Sequence, residues 1–264
     1  MQSGRGLLLL LLTFFTGGFC SCRQEKAAVM PVSAFIIELK GNSGMVFTEK
    51  TTLFSMTYSD PEFILPAALN QKVSGHTSDR LTSTVKLRTG PGVTLKKGNP
   101  AKFLGPTPYL DIENPMIKEK AARFRKSTDP VRDISRFVYG HITDKKTGIP
   151  MISASVILEN RSGDCTEHSI LTTALLRAAG IPARCVVGVI LAEEFAGRQN
   201  VFVYHMWVEA YYGGKWVFAD STRPDDIHLN RYIAFAYHSL ETEVPLDYMA
   251  ALTSLTDMTI TRIP

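Results

Sequence analysis

Apolar and polar residues alternate in short runs through the first part of the chain, in "SAFIIEL", "TLFSMTY" and "STVKLRT", each bounded by turn-forming residues. A period of two is the mark of a strand, because successive side chains point to opposite faces. A small antiparallel β unit is predicted between Pro31 and Gly105. The segment "GNPAKFLGPTPYLDIENP" then holds four prolines and two glycines and predicts a boundary near residue 108. Helical spacing follows. Asn114 before Pro115 and Asp129 before Pro130 each pair a capping side chain with a proline at the first helical position. The second of these helices carries Val131, Ile134, Phe137 and Val138 on one face, so that face should meet a core. "TDKKTGIP" after it reads as an exposed loop. A third helix is predicted after Asp164, with Ile170, Leu171, Ala174, Leu175 and Ala178 as its apolar stripe and Gly180 and Pro182 ending it. From residue 184 to 222 strand-like runs return as "RCVVGVIL", "VFVYHMWVEAYY" and "KWVFADST", the last two joined by Gly213 and Gly214, a signal for a two-residue hairpin. Beyond residue 222 the runs are mixed and assign no element.

The N-terminus departs from this pattern. Arg5 precedes "LLLLLLTFFTGGF", which is short for a membrane span and suited to a signal-peptide core, so export is expected. "GGFCSC" resembles the lipobox of bacterial lipoproteins, in which the cysteine left after cleavage carries a lipid. Cys22, preceded by the small Ser21, fits better than Cys20, and ordinary cleavage near Cys20 with a freely secreted product is the alternative. The expected organisation is a signal segment at 1–22, a β-rich region at 23–108 and a second domain at 109–264.

The whole chain has 264 residues, 45% hydrophobic and 20% charged, enough to bury one fair-sized domain or a small one with a medium one. Its formal charge of +4 is spread without a long basic block, which argues against nucleic acid as a partner. Of its four cysteines two lie in the signal region, so a disulfide framework is not the source of stability. Cys185, inside an apolar strand, reads as a small core hydrophobe.

Cys165 has no such reading, because it lies between a Gly-Asp pair and the polar triplet Thr166, Glu167, His168. Asp164 and Glu167 fit a capping box, which makes Cys165 the first helical residue and puts its thiol at the positive end of a helix dipole. Thiols in such places can fall from a pKa of about 8.5 to roughly 3.5–7.5. The charges of Asp164 and Glu167 oppose that, so an imidazole partner is needed. His168 is close along the helix but leaves it in nearly the same direction as Cys165, and it reads as support for the site or the fold.

Register supplies a better partner. If Gly213 and Gly214 form the turn, Tyr212 opposes Lys215, Tyr211 opposes Trp216 and Trp207 opposes Asp220. His205 is then on the same face as Trp207 and diagonal to Asp220, within side-chain reach. Asp220, a carboxylate at the end of an apolar strand, is costly to bury without such a partner. Trp207 and Trp216 read as hairpin packing.

Together "GDCTEHSILTTALLRAAGIPAR", "HMWVEAYYGGKW" and "WVFADST" resemble the motifs of the bacterial transglutaminase-like superfamily, from about Asn114 to Thr222. The resemblance implies an α+β, papain-like fold: a nucleophile helix packed on an antiparallel sheet, preceded here by the β-rich region. It implies Cys165 as nucleophile, His205 as base and then acid, Asp220 as the residue that orients His205, and the Cys165 backbone N–H as one oxyanion donor. Animal transglutaminases take the second donor from a tryptophan upstream of the cysteine. Both tryptophans here lie downstream, which leaves Asn160, Tyr139 or a backbone amide. The reaction implied is acyl transfer from a protein or peptide amide through a thioester, resolved by an amine (transglutaminase) or by water (amidase, deamidase or peptidase). No cofactor is implied, and no calcium loop is recognisable. Two non-enzymatic readings compete: an inactive binding module of the same fold at the cell envelope, and a zinc module using Cys165 and His168 with His205 or Asp220.

Overall fold

The computed structural model describes residues 36–41, 44–60, 63–78, 83–93, 99–146, 151–241 and 257–264. Arg5, Cys20 and Cys22, and with them the signal and lipid-anchor expectations, lie outside the described residues. Among those residues one sheet of nine strands forms the frame. The early strands are β1 (Ile36–Lys40), β2 (Thr52–Tyr58), β3 (Gln71–Ser78) and β4 (Ser83–Thr89). Four helices follow: α1 (Pro115–Ala122), α2 (Pro130–His141), α3 (Ala154–Asn160) and α4 (Cys165–Ala178). The later strands are β5 (Ala183–Phe195), β6 (Arg198–Tyr212), β7 (Lys215–Ala219), β8 (Tyr232–His238) and β9 (Thr259–Ile263).

The strand order is β3-β4-β2-β9-β1-β6-β5-β8, with β7 also paired to β6. Every pair is antiparallel except β1 with β9. Among the described residues, strands from before and after residue 108 therefore share one sheet.

The helix starts follow their capping chemistry. Asn114 accepts a hydrogen bond from the Met116 N–H and Asp129 from the Arg132 N–H, each ahead of its proline. Val131, Ile134 and Val138 of α2 are buried as expected, while Phe137 is half-buried and Ser135 joins the buried set. α4 is enclosed far beyond the expected stripe, with every residue from Glu167 to Arg177 buried, because it packs on β5 and β6 and is flanked by α1, α2 and α3. Ala178 is half-buried, and the turn closes through the Ile181 N–H, which donates to the Leu176 carbonyl at 2.9 Å.

One face of β5 and β6 presents Cys185, Val187, Met206, Val208 and Ala210 to the helices. The other presents Val186, Ile190 and Trp207 to Tyr232 and Ala234 of β8. Gly188 lies at a close approach of β5 and β8: a Cβ there would sit 2.0 Å from the Ile233 carbonyl oxygen and 3.0 Å from Cη2 of Trp207. At the β6–β7 hairpin Gly213 and Gly214 both have positive φ, 61° and 77°, and Tyr212 opposes Lys215 as the turn requires.

β8 ends the sheet, yet its outer backbone is not left bare. The Gln71 side chain donates to the Ala234 carbonyl and accepts from the Ala234 N–H, both at 2.9 Å, imitating a neighbouring strand. Asn70 donates to the Tyr232 carbonyl at 2.8 Å. Two side-chain amides from the β-rich region thus satisfy peptide groups that would otherwise be an aggregation-prone edge.

Candidate active site

α4 begins as the capping box predicts. Oδ1 of Asp164 accepts the Thr166 N–H at 2.9 Å, and Oε2 of Glu167 accepts the Asp164 N–H at 2.9 Å. Cys165 is thereby the first residue of the helix, half-buried, with a free thiol. Among the described residues one edge of β6 pairs with β1 over Val201–Val203 and with β7 over Val208–Tyr212. Cys165 meets β6 between these two pairings, where the Met206 backbone hydrogen-bonds its sulfur in the sense that favours thiolate.

His205, the residue before Met206, is joined to Asp220 as the register predicts. Its Nε2 lies 2.7 Å from Oδ2 of Asp220, and both side chains are buried. With Nε2 committed to the carboxylate, Nδ1 is the ring nitrogen left for a reacting group. Asp220 accepts three further hydrogen bonds: from the Tyr232 hydroxyl at 2.8 Å, the Thr222 N–H at 2.9 Å and the Thr222 hydroxyl at 2.7 Å. Burial alone would push this carboxyl up, but the His205 charge and hydrogen bond and the two Thr222 donors hold it well below the usual carboxylate range. Trp207 stacks between His205 and Phe218, with ring centroids 6.2 Å and 5.8 Å away, so it props the imidazole as well as packing the hairpin.

Around the sulfur the balance differs from the sequence expectation. Burial pushes the Cys165 thiol up, the charges of Asp164, Asp220 and Glu167 push it further, and the Met206 backbone bond only partly opposes them. The surroundings thus favour thiol over thiolate, against the effect of a helix start alone. Glu167 is pushed up to about 7 by burial, assisted by the charge of Asp164. His168 is buried and its pKa is pushed down to about 4, chiefly by that burial. Its Nδ1 faces the Asp164 carbonyl at 2.6 Å and its Nε2 faces Nζ of Lys145 at 2.9 Å, so both nitrogens are engaged and it is not set to share a metal with Cys165. Among the described residues no group of three or more His, Cys, Asp or Glu side chains is arranged to hold a metal ion.

Cys185 is buried in the core beside Thr173, with its thiol pushed up to about 11 by burial. Of the side chains considered as second oxyanion donors, Asn160 ends α3 and Tyr139 lies on α2, both exposed. Neither is held to the Cys165 sulfur by a hydrogen bond. Thr222, Tyr232 and Lys145 were not singled out by sequence. Thr222 carried a readable signal, since an Asp followed two residues later by a hydrogen-bond donor is an Asx turn. Tyr232 and Lys145 carried none.

A cysteine opening a central helix against an antiparallel sheet that carries a His–Asp pair defines the α+β core of the papain-like cysteine enzymes. Residues 116–221, which contain Cys165, His205 and Asp220, match the family model of the transglutaminase-like superfamily. Among solved structures, a provisionally assigned cysteine protease from Cytophaga hutchinsonii shares the fold with TM-score 0.50 and 17% identity over 86% of this chain and 82% of its own. The periplasmic domain of TgpA from Pseudomonas aeruginosa aligns with TM-score 0.43 and 15% identity over 72% of this chain and 93% of its own. Red sea bream transglutaminase aligns with TM-score 0.35 and 11% identity over 66% of this chain and 46% of its own. No curated protein matches the sequence.

Proposed function

We propose that this protein is a thiol-dependent acyl-transfer enzyme acting on a protein or peptide amide. The observation that carries the reading is the buried His205–Asp220 pair, with Nε2 fixed at 2.7 Å from the carboxylate, set one residue from the backbone group that contacts the Cys165 sulfur. Because the surroundings favour thiol, proton transfer accompanies attack: Nδ1 of His205 takes the thiol proton as the sulfur bonds to the carbonyl carbon. The carbonyl electron pair moves to oxygen, held by the Cys165 backbone N–H and a second donor. When the intermediate collapses, the C–N bond breaks and His205 returns the proton to the departing amine, leaving a thioester. Asp220 stays ionised throughout and stabilises the imidazolium. Water then regenerates the enzyme as a hydrolase, or a second amine does so as a transglutaminase. The apolar run after Arg5 and the cysteines at 20 and 22 support export and a lipid anchor in the envelope, with free secretion the alternative.

The burial and negative charge that raise the Cys165 thiol favour a second reading, an inactive module that binds a partner. Acetylation by p-nitrophenyl acetate, read by peptide mass with buried Cys185 as the internal control, separates the two. The enzyme reading expects Cys165 to acetylate selectively and the rate to fall about 100-fold or more in His205→Ala. Equal, slow labelling of both cysteines, unchanged by the substitution, would establish the binding module instead.

A further inference from the structure

Cys165 and the His205–Asp220 pair come from different elements, α4 and the β6–β7 hairpin, so their relative placement depends on how those elements are held in register. Apolar packing fixes such a register loosely, since cores that keep volume and pattern lose uniqueness before they lose stability. One polar contact adds to that packing. Oγ1 of Thr172 on α4 and Oγ of Ser221, the residue after Asp220, are 2.5 Å apart, and the two residues are 0% and 4% exposed. Thr172 follows Cys165 by seven residues, close to two full turns, so both lie on one face of α4 and stand about 10 Å apart along its axis.

The other end of the contact is tied just as directly to the His–Asp pair. Thr222 gives Asp220 two hydrogen bonds, Tyr232 of β8 gives a third, and His205 of β6 lies 2.7 Å from Oδ2. The turn at residues 220–222 is thereby joined to β6, to β8 and, through Ser221, to the nucleophile helix. Two hydroxyl oxygens meet here at 2.5 Å, whereas carbon atoms in contact stand about 3.5–4.0 Å apart. A methyl group in place of the Thr172 hydroxyl would therefore drive α4 and the turn about 1 Å further apart. A displacement of that size between reacting groups can cost on the order of 100-fold in rate.

We propose that Thr172 and Ser221 form a buried clamp that sets where the Cys165 sulfur stands relative to the His205 ring. This rests on the acyl-transfer reading, because transfer of the thiol proton to Nδ1 is the step the clamp serves. Both act at a distance, Thr172 through α4 and Ser221 through Asp220, and both are positioning residues.

The test measures Cys165 acetylation by p-nitrophenyl acetate, and denaturant unfolding beside it, on the full chain. The variants are Thr172→Val, Ser221→Ala, the two combined, and Thr172→Ser. Either single loss strands one buried hydroxyl without its partner, while the double loss removes both and returns stability toward wild type. If the pair served stability alone, the acetylation rate would recover with it. The clamp instead predicts a rate about tenfold or more below wild type in Thr172→Val and in the double variant, and recovery to within about threefold in Thr172→Ser. Thr172→Val should slow acetylation no further once His205→Ala is present, because the geometry it disturbs is then unused. Independently of activity, the amide resonance of Cys165, two turns from the substitution, should shift in Thr172→Val and return in Thr172→Ser. Where His205 drives acetylation, three results would overturn the proposal: a wild-type rate in Thr172→Val, a double variant whose rate recovers with its stability, or an undiminished effect of Thr172→Val beside His205→Ala. An unmoved Cys165 resonance overturns it in every case. Failure of the acyl-transfer reading shows separately, as wild-type acetylation indifferent to His205, and the Cys165 resonance then decides the placement by itself.

Discussion

Glu167 is a carboxylate 1% exposed, held by its bond from the Asp164 N–H and pushed up to about 7 from an ordinary 4.5. Glu167→Gln keeps the shape and the carbonyl acceptor that the capping box uses, but removes the charge. An acid whose folded pKa lies above its unfolded one holds its proton more tightly when folded. Its contribution to stability is therefore full below about pH 4.5 and is lost as pH rises through about 7. At 1.36 kcal/mol per unit, that shift corresponds to roughly 3 kcal/mol lost by the wild type and not by the glutamine variant. Denaturant unfolding of both proteins between pH 5 and pH 9 measures this directly, since titrations common to both cancel in the difference. The gap should move by roughly 3 kcal/mol in favour of Glu167→Gln as pH rises. The Glu167 charge also raises the Cys165 thiol, so the variant's alkylation profile should shift to lower pH. A stability difference that is flat across the range would refute the account of a carboxylate destabilised by burial.

Two further substitutions test how the His–Asp pair is held. Gly188→Ala places a methyl group 2.0 Å from the Ile233 carbonyl, a backbone atom with little freedom to move, and should destabilise by about 3 kcal/mol or more; thermal unfolding within 1 kcal/mol of wild type would contradict the close approach of β5 and β8. Tyr232→Phe keeps the ring packed 5.3 Å from Trp207 but deletes one of the donors to Asp220, so unfolding free energy should fall by about 1.5–3 kcal/mol and Cys165 acetylation should slow.

Local chemistry explains which elements the sequence made legible. β2 and β4 alternate cleanly because one face is buried and the other is not, and α1, α2 and α4 each announce their first residue through a capping side chain. The hairpin register followed from two glycines, and with it the meeting of His205 and Asp220. β3 escaped because "QKVSGHTS" is an exposed edge strand with little apolar face to alternate. α3 has seven residues and no side-chain cap at Ser153, too little for a helical period to show. In β8, "YIAFAYH" is buried almost throughout, so it carries no two-residue rhythm at all. The surroundings of Cys165 were the least readable part. Its helix start argues for thiolate and the neighbouring Asp164 charge against it, both legible locally, while the burial that tips the balance and the added Asp220 charge come from elements distant in sequence. Thr172 shows the same limit: its hydroxyl lies inside the fold, bonded to Ser221, 49 residues along the chain.

The place of β9 sets an order on how this protein can come into being. Residues 259–263 lie between β1, which they join in parallel, and β2, which they join antiparallel. A ribosome or a translocation channel delivers β1 and β2 long before the strand that belongs between them, and closing so long a loop must come before its pairing is rewarded. Until then both strands present open edges, the kind of surface that makes a partly folded chain prone to pair with its neighbours. The last strand to be made is therefore the one that closes the middle of the sheet.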